Sequence, residues 1–177
     1  GVSYCATCDG PFFRGQDVLV VGGGDTAVKE AVYLAKIANK VSVVHRRDKL
    51  RAEKILQERL LKAENITVHW DSVLREIKGE SGVESAVIEN VKTSEKTELK
   101  VHGAFMFVGI NPTTDLTDAK KNDSGFIITN EKMETSIPGV YAVGDCRNTP
   151  LLQVATAVGD GAIAAYIAES YVEGFDD

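Results

Sequence analysis

Several absences narrow the reading of this 177-residue chain before any motif is consulted. No apolar run approaches the roughly 18 residues that a membrane span requires, and no basic segment followed by an apolar one stands at the start. Neither a membrane protein nor a chain exported by its own signal is expected. Positive charge is not in excess: 20 Lys and Arg stand against 26 Asp and Glu, a net charge of -6. That balance argues against a nucleic-acid surface and against a polybasic membrane patch. Cysteines number only three, an odd count unlike a secreted disulfide framework, so a reducing, cytoplasmic compartment is expected. Internal repeats and low-complexity tracts are missing too. With 44% hydrophobic residues the chain is long enough to bury a core, at the length of one domain or two small ones.

What is present starts with alternating strand and helix signals. The β-branched run within Asp17–Val21, closed by Gly22-Gly23-Gly24, reads as a buried strand. From Asp25 the period becomes helical, with Ala27, Ala31, Leu34, Ala35 and Ala38 on one face and Asn39 as a left-handed cap. Val41–His45 is a second buried strand, which completes a β-α-β unit with a right-handed crossover. Arg51–Lys62 reads as a helix with Ile55, Leu56 and Leu60 facing inward, and Ile66–Trp70 as a strand. Residues 73–101 alternate apolar and polar between polar turns, the pattern of an antiparallel meander with one wet face. Ala104–Gly109 returns to a continuous apolar run, and the turn-rich Asn111-Pro112-Thr113-Thr114 marks a boundary. Beyond it, strands are expected at Phe126–Thr129 and Val140–Val143, a small-residue helix at Leu152–Tyr171, and a frayed acidic tail at Glu173–Asp177. The fold class is α/β: a Rossmann-like dinucleotide-binding domain over residues 1–110, with a mixed sheet and the meander, followed by a second segment over 111–177.

Two motifs carry chemistry in that frame. Gly22-Gly23-Gly24-Asp25-Thr26-Ala27 fits G-x-G-x-x-A after a strand and at the opening of a helix. The first glycine allows the tight turn, the second lets backbone approach a pyrophosphate at the positive helix end, and Ala27 permits close packing. A cofactor without a 2′-phosphate is commonly met by an acidic residue about 20 positions further on. This chain has His45-Arg46-Arg47-Asp48 there and Arg51 one turn later. Guanidinium groups hold phosphate through charge-assisted forks, so NADPH is favoured over NADH. His45 fits packing as well as binding.

Cys5-Ala-Thr-Cys8 stands just before the first strand, with no element ahead of it to pack beneath it. Such a pair can cycle between dithiol and disulfide, can pack as a structural pair, or can supply half a zinc site. Zinc needs two more ligands, and Cys146, His45, His69 and His102 offer no paired arrangement, so no metal is assigned. Asp9, directly after Cys8, is either a general acid or base or a turn residue. Cys146 has no sequence partner and reads as a buried, inert thiol.

The ordered set CATCDG, GGGDTA, HRRDKLRA, VGINPTT, GVYAVGDC and QVATAVGDGAIAA resembles the low-molecular-weight thioredoxin reductases across nearly the whole chain. The resemblance implies that NADPH reduces FAD, that the reduced flavin opens the Cys5–Cys8 disulfide, and that the dithiol reduces thioredoxin or a thioredoxin-like protein. Cys8 would face the flavin, Cys5 would be the exchanging thiol, and Asp9 would be the acid/base group. Gly22, Gly24, Asp25 and Thr26 would lie at the pyrophosphate, with Ala27 behind them. Arg46, Arg47 and Arg51 would meet the 2′-phosphate, and Val108 and Gly109 the adenosine–nicotinamide path. Asp145 would meet the FAD ribityl or phosphate region, and Gln153 and Val154 the flavin ring. A cytoplasmic homodimer of the full-length protein is implied as well.

Two departures from that family pattern matter. Leu152 replaces a usual arginine before Gln153, so contacts at that helix start would rest on backbone. The family also begins with an FAD-binding half bearing its own glycine loop, which these residues do not contain. The expectation is a truncated or proteolysed reductase: the NADPH domain plus the C-terminal portion of the FAD domain, binding FAD poorly and leaving the Leu152 helix with exposed apolar sides. The flavoprotein subunit of alkyl hydroperoxide reductase shares a CxxCDGPFF-like segment, but it favours NADH and lacks the paired arginines. As a fragment, a non-catalytic NADPH-binding module is the further alternative, because hydride cannot reach the cysteines without a flavin.

Overall fold

The computed structural model describes residues 1–174. The chain divides into two compact units, Gly1–Gly109 and Ile110–Asp177. The first unit contains β1 (Val2–Ser3), α1 (Ala6–Asp9), β2 (Asp17–Gly22), α2 (Asp25–Leu34), β3 (Lys40–Val44), α3 (Lys54–Lys62), β4 (Ile66–His69), β5 (Ser72–Lys78), β6 (Ser85–Asn90), β7 (Lys96–Lys100) and β8 (Gly103–Phe107). Strands β1, β8, β2, β3 and β4 lie side by side in that order, every neighbouring pair parallel. The meander β5-β6-β7 forms a separate antiparallel sheet.

Alternation along the central strands explains the layering. Side chains of successive strand residues point to opposite faces. Val18 and Val20, with Val41, Val43 and Phe105, join Ala27, Val28, Ala31 and Leu34 of α2 and Leu56 and Leu60 of α3 in one core. Leu19, Val44 and Ala104 instead join Ala86 and Ile88 of the meander, with Leu74 and Leu99 packed against them. The parallel sheet is therefore covered by helices on one face and by the meander on the other. Both faces being dry, its strands read as continuous apolar runs, while the meander keeps an alternating pattern.

Element ends differ from expectation for local reasons. Helix α2 stops at Leu34, and Lys36 and Ile37 donate three residues back, to Tyr33 and Leu34, in a tightened last turn. Asn39 is not a left-handed cap: its N–H donates to the Gln16 carbonyl and its amide to Asp17 Oδ1 at 2.6 Å. Helix α3 begins at Lys54 rather than Arg51, and Ile55 is 51% exposed while Leu56 and Leu60 are buried. Residues 1–4 also supply what the sequence reading missed beneath the cysteines, since Ser3 of β1 pairs with Phe105 of β8.

In the second unit, Phe126–Thr129 and Val140–Val143 do not form strands. They make single bridges only, Lys121 with Ile127, Ile127 with Arg147 and Glu134 with Tyr141, and Val140 and Val143 are 38% and 37% exposed. A run becomes a strand only where a partner continues the ladder. Ala119, Ile127 and Ala142 form a small core, with Ile137 and Cys146 packed against it. Cys146 is a free, half-buried thiol donating to the Val143 carbonyl. Helix α4 (Val154–Glu173) buries Ala164 and leaves Val154, Val158, Tyr166 and Val172 well exposed. Gly174 closes it, so the expected frayed tail falls, from residue 175 on, outside the described residues. Among the described residues no helix is long and apolar enough to cross a membrane.

Leu19 is fully buried between β8 and β3 on the meander face. Leu19→Ala is expected to lower unfolding free energy by about 3 kcal/mol, and Ile55→Ala by less than about 0.5 kcal/mol. Urea unfolding followed by circular dichroism measures both.

Candidate functional site

Sheet order places a binding crevice. Strand β2 connects through α2 to β3 on one side, while its other neighbour is β8, so the order switches direction at β2. Ligands of open parallel sheets bind beyond the carboxyl ends of strands at such a point. There lies a cleft of about 320 Å3, whose lining includes Gly22, Gly23, His45, Arg46, Arg47, Arg51 and Val108.

Each glycine of the triplet is required for a different reason. Gly22 has φ +148°, and a Cβ there would overlap the Phe107 carbonyl oxygen and come within 2.7 Å of Ala27 Cβ. Gly23 is buried against the His45 ring, whose Cγ would be 2.7 Å from an added Cβ. Gly24 is different: the nearest atom to its would-be Cβ is Arg51 Nη2, at 4.0 Å. Protein packing explains Gly22 and Gly23, whereas open space stands beside Gly24. As N-cap of α2, Gly24 provides no side-chain cap, which leaves N–H groups of the first turn for an anion.

The arginine loop is tied to this turn. The Arg51 N–H donates to the Gly23 carbonyl at 2.7 Å, and His45 Nε2 lies 2.8 Å from the Lys49 carbonyl oxygen. His45 is 5% exposed and meets Trp70 edge to face, so it packs beneath the loop as well as lining the cleft. Arg46, Arg47 and Arg51 are exposed, and none has an ion-pair partner among the described residues. Three unneutralised guanidinium groups, an open glycine and a helix start fit a phosphorylated dinucleotide. Asp25 is engaged elsewhere, its Oδ1 accepting the Glu53 N–H at 2.8 Å, and Thr26 is exposed. Val108 is 67% exposed at the cleft, and Gly109 follows it at φ +109°.

Cys5 and Cys8 form a disulfide. Cys5 caps α1, and its Sγ accepts the Cys8 N–H at 3.1 Å. A thiolate at that position would be stabilised by the same N–H and by the helix start. Cys5 is half-buried and Cys8 exposed. Asp9, half-buried, ends the helix, with its N–H on the Cys5 carbonyl at 3.1 Å. The cysteine turn does not line the cleft. Ala6 N–H meets Glu30 midway along α2, and a Cβ on Gly10 would be 3.1 Å from Leu34 near the end of that helix. The glycine turn opens the same helix, so the two sites are separated by a distance on the order of 10 Å.

Two side chains at the cysteine turn escaped the sequence reading. Ser3, 4% exposed, donates its hydroxyl to Asp9 Oδ2 at 2.7 Å, and nothing in the local pattern signalled this. Glu30 carries a signal: three residues after Ala27 and four before Leu34, it is an acid on the buried stripe of α2. Burial raises its carboxyl above the ordinary value, the Ala6 N–H opposing, and its Oε2 is buried without a hydrogen-bond partner among the described residues.

The remaining predicted residues belong to the second unit. Asp145 is exposed in a 3-10 turn, Gly144–Cys146, whose Gly144 N–H donates to Asp160 Oδ2 at 3.1 Å. Arg147 pairs with the same Asp160 oxygen at 3.2 Å. Gln153 forms the capping box of α4 with Thr156, and Val154 opens the helix, 81% exposed.

Comparison with known proteins adds three findings. The family model described as pyridine nucleotide-disulphide oxidoreductase matches residues 1–161. A thioredoxin reductase of Treponema pallidum is 47% identical over 174 residues, and one of Peptoclostridium acidaminophilum 52% identical over 181, covering 98% of this chain in each case. The chain spans 57% and 58% of those relatives' lengths. The crystal structure of thioredoxin reductase from Streptococcus pyogenes superposes with a TM-score of 0.91 at 52% identity, over 99% of this chain and 58% of that one.

The glycine triplet should separate by position. Gly22→Ala is expected to destabilise the chain by about 1–3 kcal/mol through overlap and positive φ, while Gly24→Ala stays within about 0.5 kcal/mol of the parent. Urea midpoints at fixed protein concentration distinguish them.

Proposed function

Because the chain belongs to the pyridine nucleotide-disulphide oxidoreductase family, we propose that it carries the NADPH-binding and disulfide-bearing part of an NADPH-dependent thioredoxin-disulfide reductase. Residues 1–110 form the NADPH-binding domain and residues 111–177 contribute to an FAD domain. The observation that carries this reading is a disulfide turn packed against the middle and later part of the same helix whose start forms the cleft. The cleft lining does not include Cys5 or Cys8, so a carrier between a nucleotide held there and the disulfide would be needed. NADPH, when bound, supplies a hydride, and FAD, when bound, supplies the two-electron relay.

This chain's own residues orient and protonate. Gly22 and Gly23 shape the turn, and Gly24 with the first turn of α2 receives the pyrophosphate. Arg46, Arg47 and Arg51 hold the 2′-phosphate, and Val108 borders the nucleotide path. Asp145, exposed beside the first turn of α4, with Gln153 and Val154 at the helix start, supports flavin contacts from the second unit. Once reduced, the pair holds two thiols. Cys5 thiolate attacks the disulfide of a thioredoxin-like partner, one partner sulfur leaving as a thiolate that takes a proton. Cys8 thiolate then attacks the mixed disulfide, re-forming Cys5–Cys8 and releasing the second partner thiolate. Two electrons and two protons pass to the partner, and in this reading Asp9 carries a proton between the sulfurs. A cytoplasmic homodimer of the whole protein belongs to the same reading.

Two measurements test it. Chain reduced with phosphine and freed of reductant should reduce oxidised thioredoxin, and Cys5→Ser should abolish that transfer; an undiminished rate in Cys5→Ser overturns the assignment of the exchanging thiol. In fluorescence titrations NADPH should bind at least about tenfold more tightly than NADH, with Arg46→Ala/Arg47→Ala removing the difference and Gly24→Ala weakening both ligands. Equal affinity of the parent chain for the two nucleotides would count against NADPH.

A further inference from the structure

Ser3 is placed where one side-chain oxygen meets both the exchanging cysteine and the carboxylate beside it. Strand β1 is two residues long, and its pairing with β8 fixes Ser3 opposite Phe105. The Ser3 side chain is almost fully buried, at 4% exposure. Its Oγ accepts the Cys5 N–H at 3.1 Å and donates to Asp9 Oδ2 at 2.7 Å. The Cys5 carbonyl oxygen is a second acceptor within reach, at 3.2 Å, and it also receives the Asp9 N–H at 3.1 Å. Ser3, Cys5 and Asp9 are thus joined in a closed ring of hydrogen bonds.

A hydroxyl carries one proton and two lone pairs. With two acceptors available, the Ser3 proton goes to the ionised carboxylate, the shorter and charge-assisted contact. If Asp9 takes up a proton, the roles reverse. The carboxyl O–H donates to Ser3 Oγ, and the serine proton turns to the Cys5 carbonyl. Either arrangement keeps the Ser3 hydroxyl supplied with both a donor and an acceptor, so the contact to Asp9 survives gain or loss of its proton. Alanine cannot do this, whereas threonine supplies the same hydroxyl and suits a strand.

We infer that Ser3 is the positioning residue for proton transfer at the cysteine turn, tying the Asp9 carboxylate to the Cys5 backbone in both protonation states. The inference rests on the reading of Asp9 as the acid/base group of disulfide exchange. In that step a Cys5 thiolate displaces a thiolate from an external disulfide, and the leaving sulfur accepts one proton from Asp9. The carboxylate is restored to its acid form by a proton from the Cys8 thiol, which becomes the second nucleophile. Atoms and charge balance without a further reagent.

Leaving-group chemistry makes this testable in the chain as it exists, without flavin or nucleotide. Departure of an alkyl thiolate, which is basic, benefits from an acid; departure of an aromatic nitrothiolate does not. Chain reduced with phosphine is mixed either with bis(2-hydroxyethyl) disulfide or with dithiobis(nitrobenzoate), and the exchange rates are compared. Ser3→Ala should slow the alkyl disulfide at least about tenfold and change the aromatic one less than about twofold. Ser3→Thr should restore the alkyl rate, and in an Asp9→Asn background Ser3→Ala should add no further loss.

The aromatic probe also reports whether the cysteine turn survives substitution. Equal slowing of both probes by Ser3→Ala, an unchanged alkyl rate, or a loss that persists on top of Asp9→Asn would overturn the role of Ser3. If Asp9→Asn slows the alkyl disulfide and Ser3→Ala does not, the reading of Asp9 stands and the inference alone fails. If Asp9→Asn leaves both rates unchanged, the acid/base reading fails and takes the inference with it.

Discussion

The end of β2 has no room for another carbon atom, and much of the first unit follows from that restriction. Phe107 carbonyl, Ala27 methyl and the His45 ring occupy the space that side chains at positions 22 and 23 would need. Helix α2 can begin immediately after the strand only because the turn is bare, and the crossover to β3 then buries Ala27, Val28, Ala31 and Leu34 against the sheet. The same bareness brings the Arg51 backbone onto Gly23, which draws the loop of residues 46–51 over the turn. Close packing, a helix start and the position of the arginine loop therefore meet at one steric condition.

The cysteine turn obeys a different logic, one of hydrogen bonds instead of packing volume. A four-residue helix has few internal bonds of its own. Its first N–H is met by Glu30, its Cys8 N–H by Cys5 Sγ, and its Asp9 N–H by the Cys5 carbonyl. Every one of these partners lies within the turn or on α2. A disulfide whose surroundings are organised in this way can open with little rearrangement of the backbone, because the Cys5 sulfur can go on accepting the Cys8 N–H as a thiolate and the other two bonds involve no sulfur.

How much was legible in the sequence depended on whether the signal was local. Val18–Val20, the glycine triplet and Arg46, Arg47 and Arg51 lie close together in the sequence, and their periodicity and spacing carry the β-α-β unit and the residues that line the cleft at its glycine turn. The meander was readable because one dry face forces alternation. Ser3 was not readable: a serine in a two-residue strand has no pattern, and its importance comes from β8, a hundred residues away in sequence. The bareness of Gly24 and that of Gly22 look alike as letters, yet only the packed structure separates a glycine demanded by neighbours from one beside open space. Strands expected in the second unit failed for the same reason in reverse, since apolar runs such as Val140–Val143 announce a ladder but do not name a partner to complete it.

Strand β8 serves as a ruler. It pairs with β1 at Phe105 and with the end of β2 at Phe107, two residues further on, a rise of about 7 Å. The offset between the anchor of the cysteine turn and the glycine turn is thus a count of peptide units, set by backbone pairing. If a nucleotide binds at the glycine turn as proposed, it and the disulfide are spaced by this strand, and any carrier serving both would cover that span by its own displacement or by movement of the whole unit.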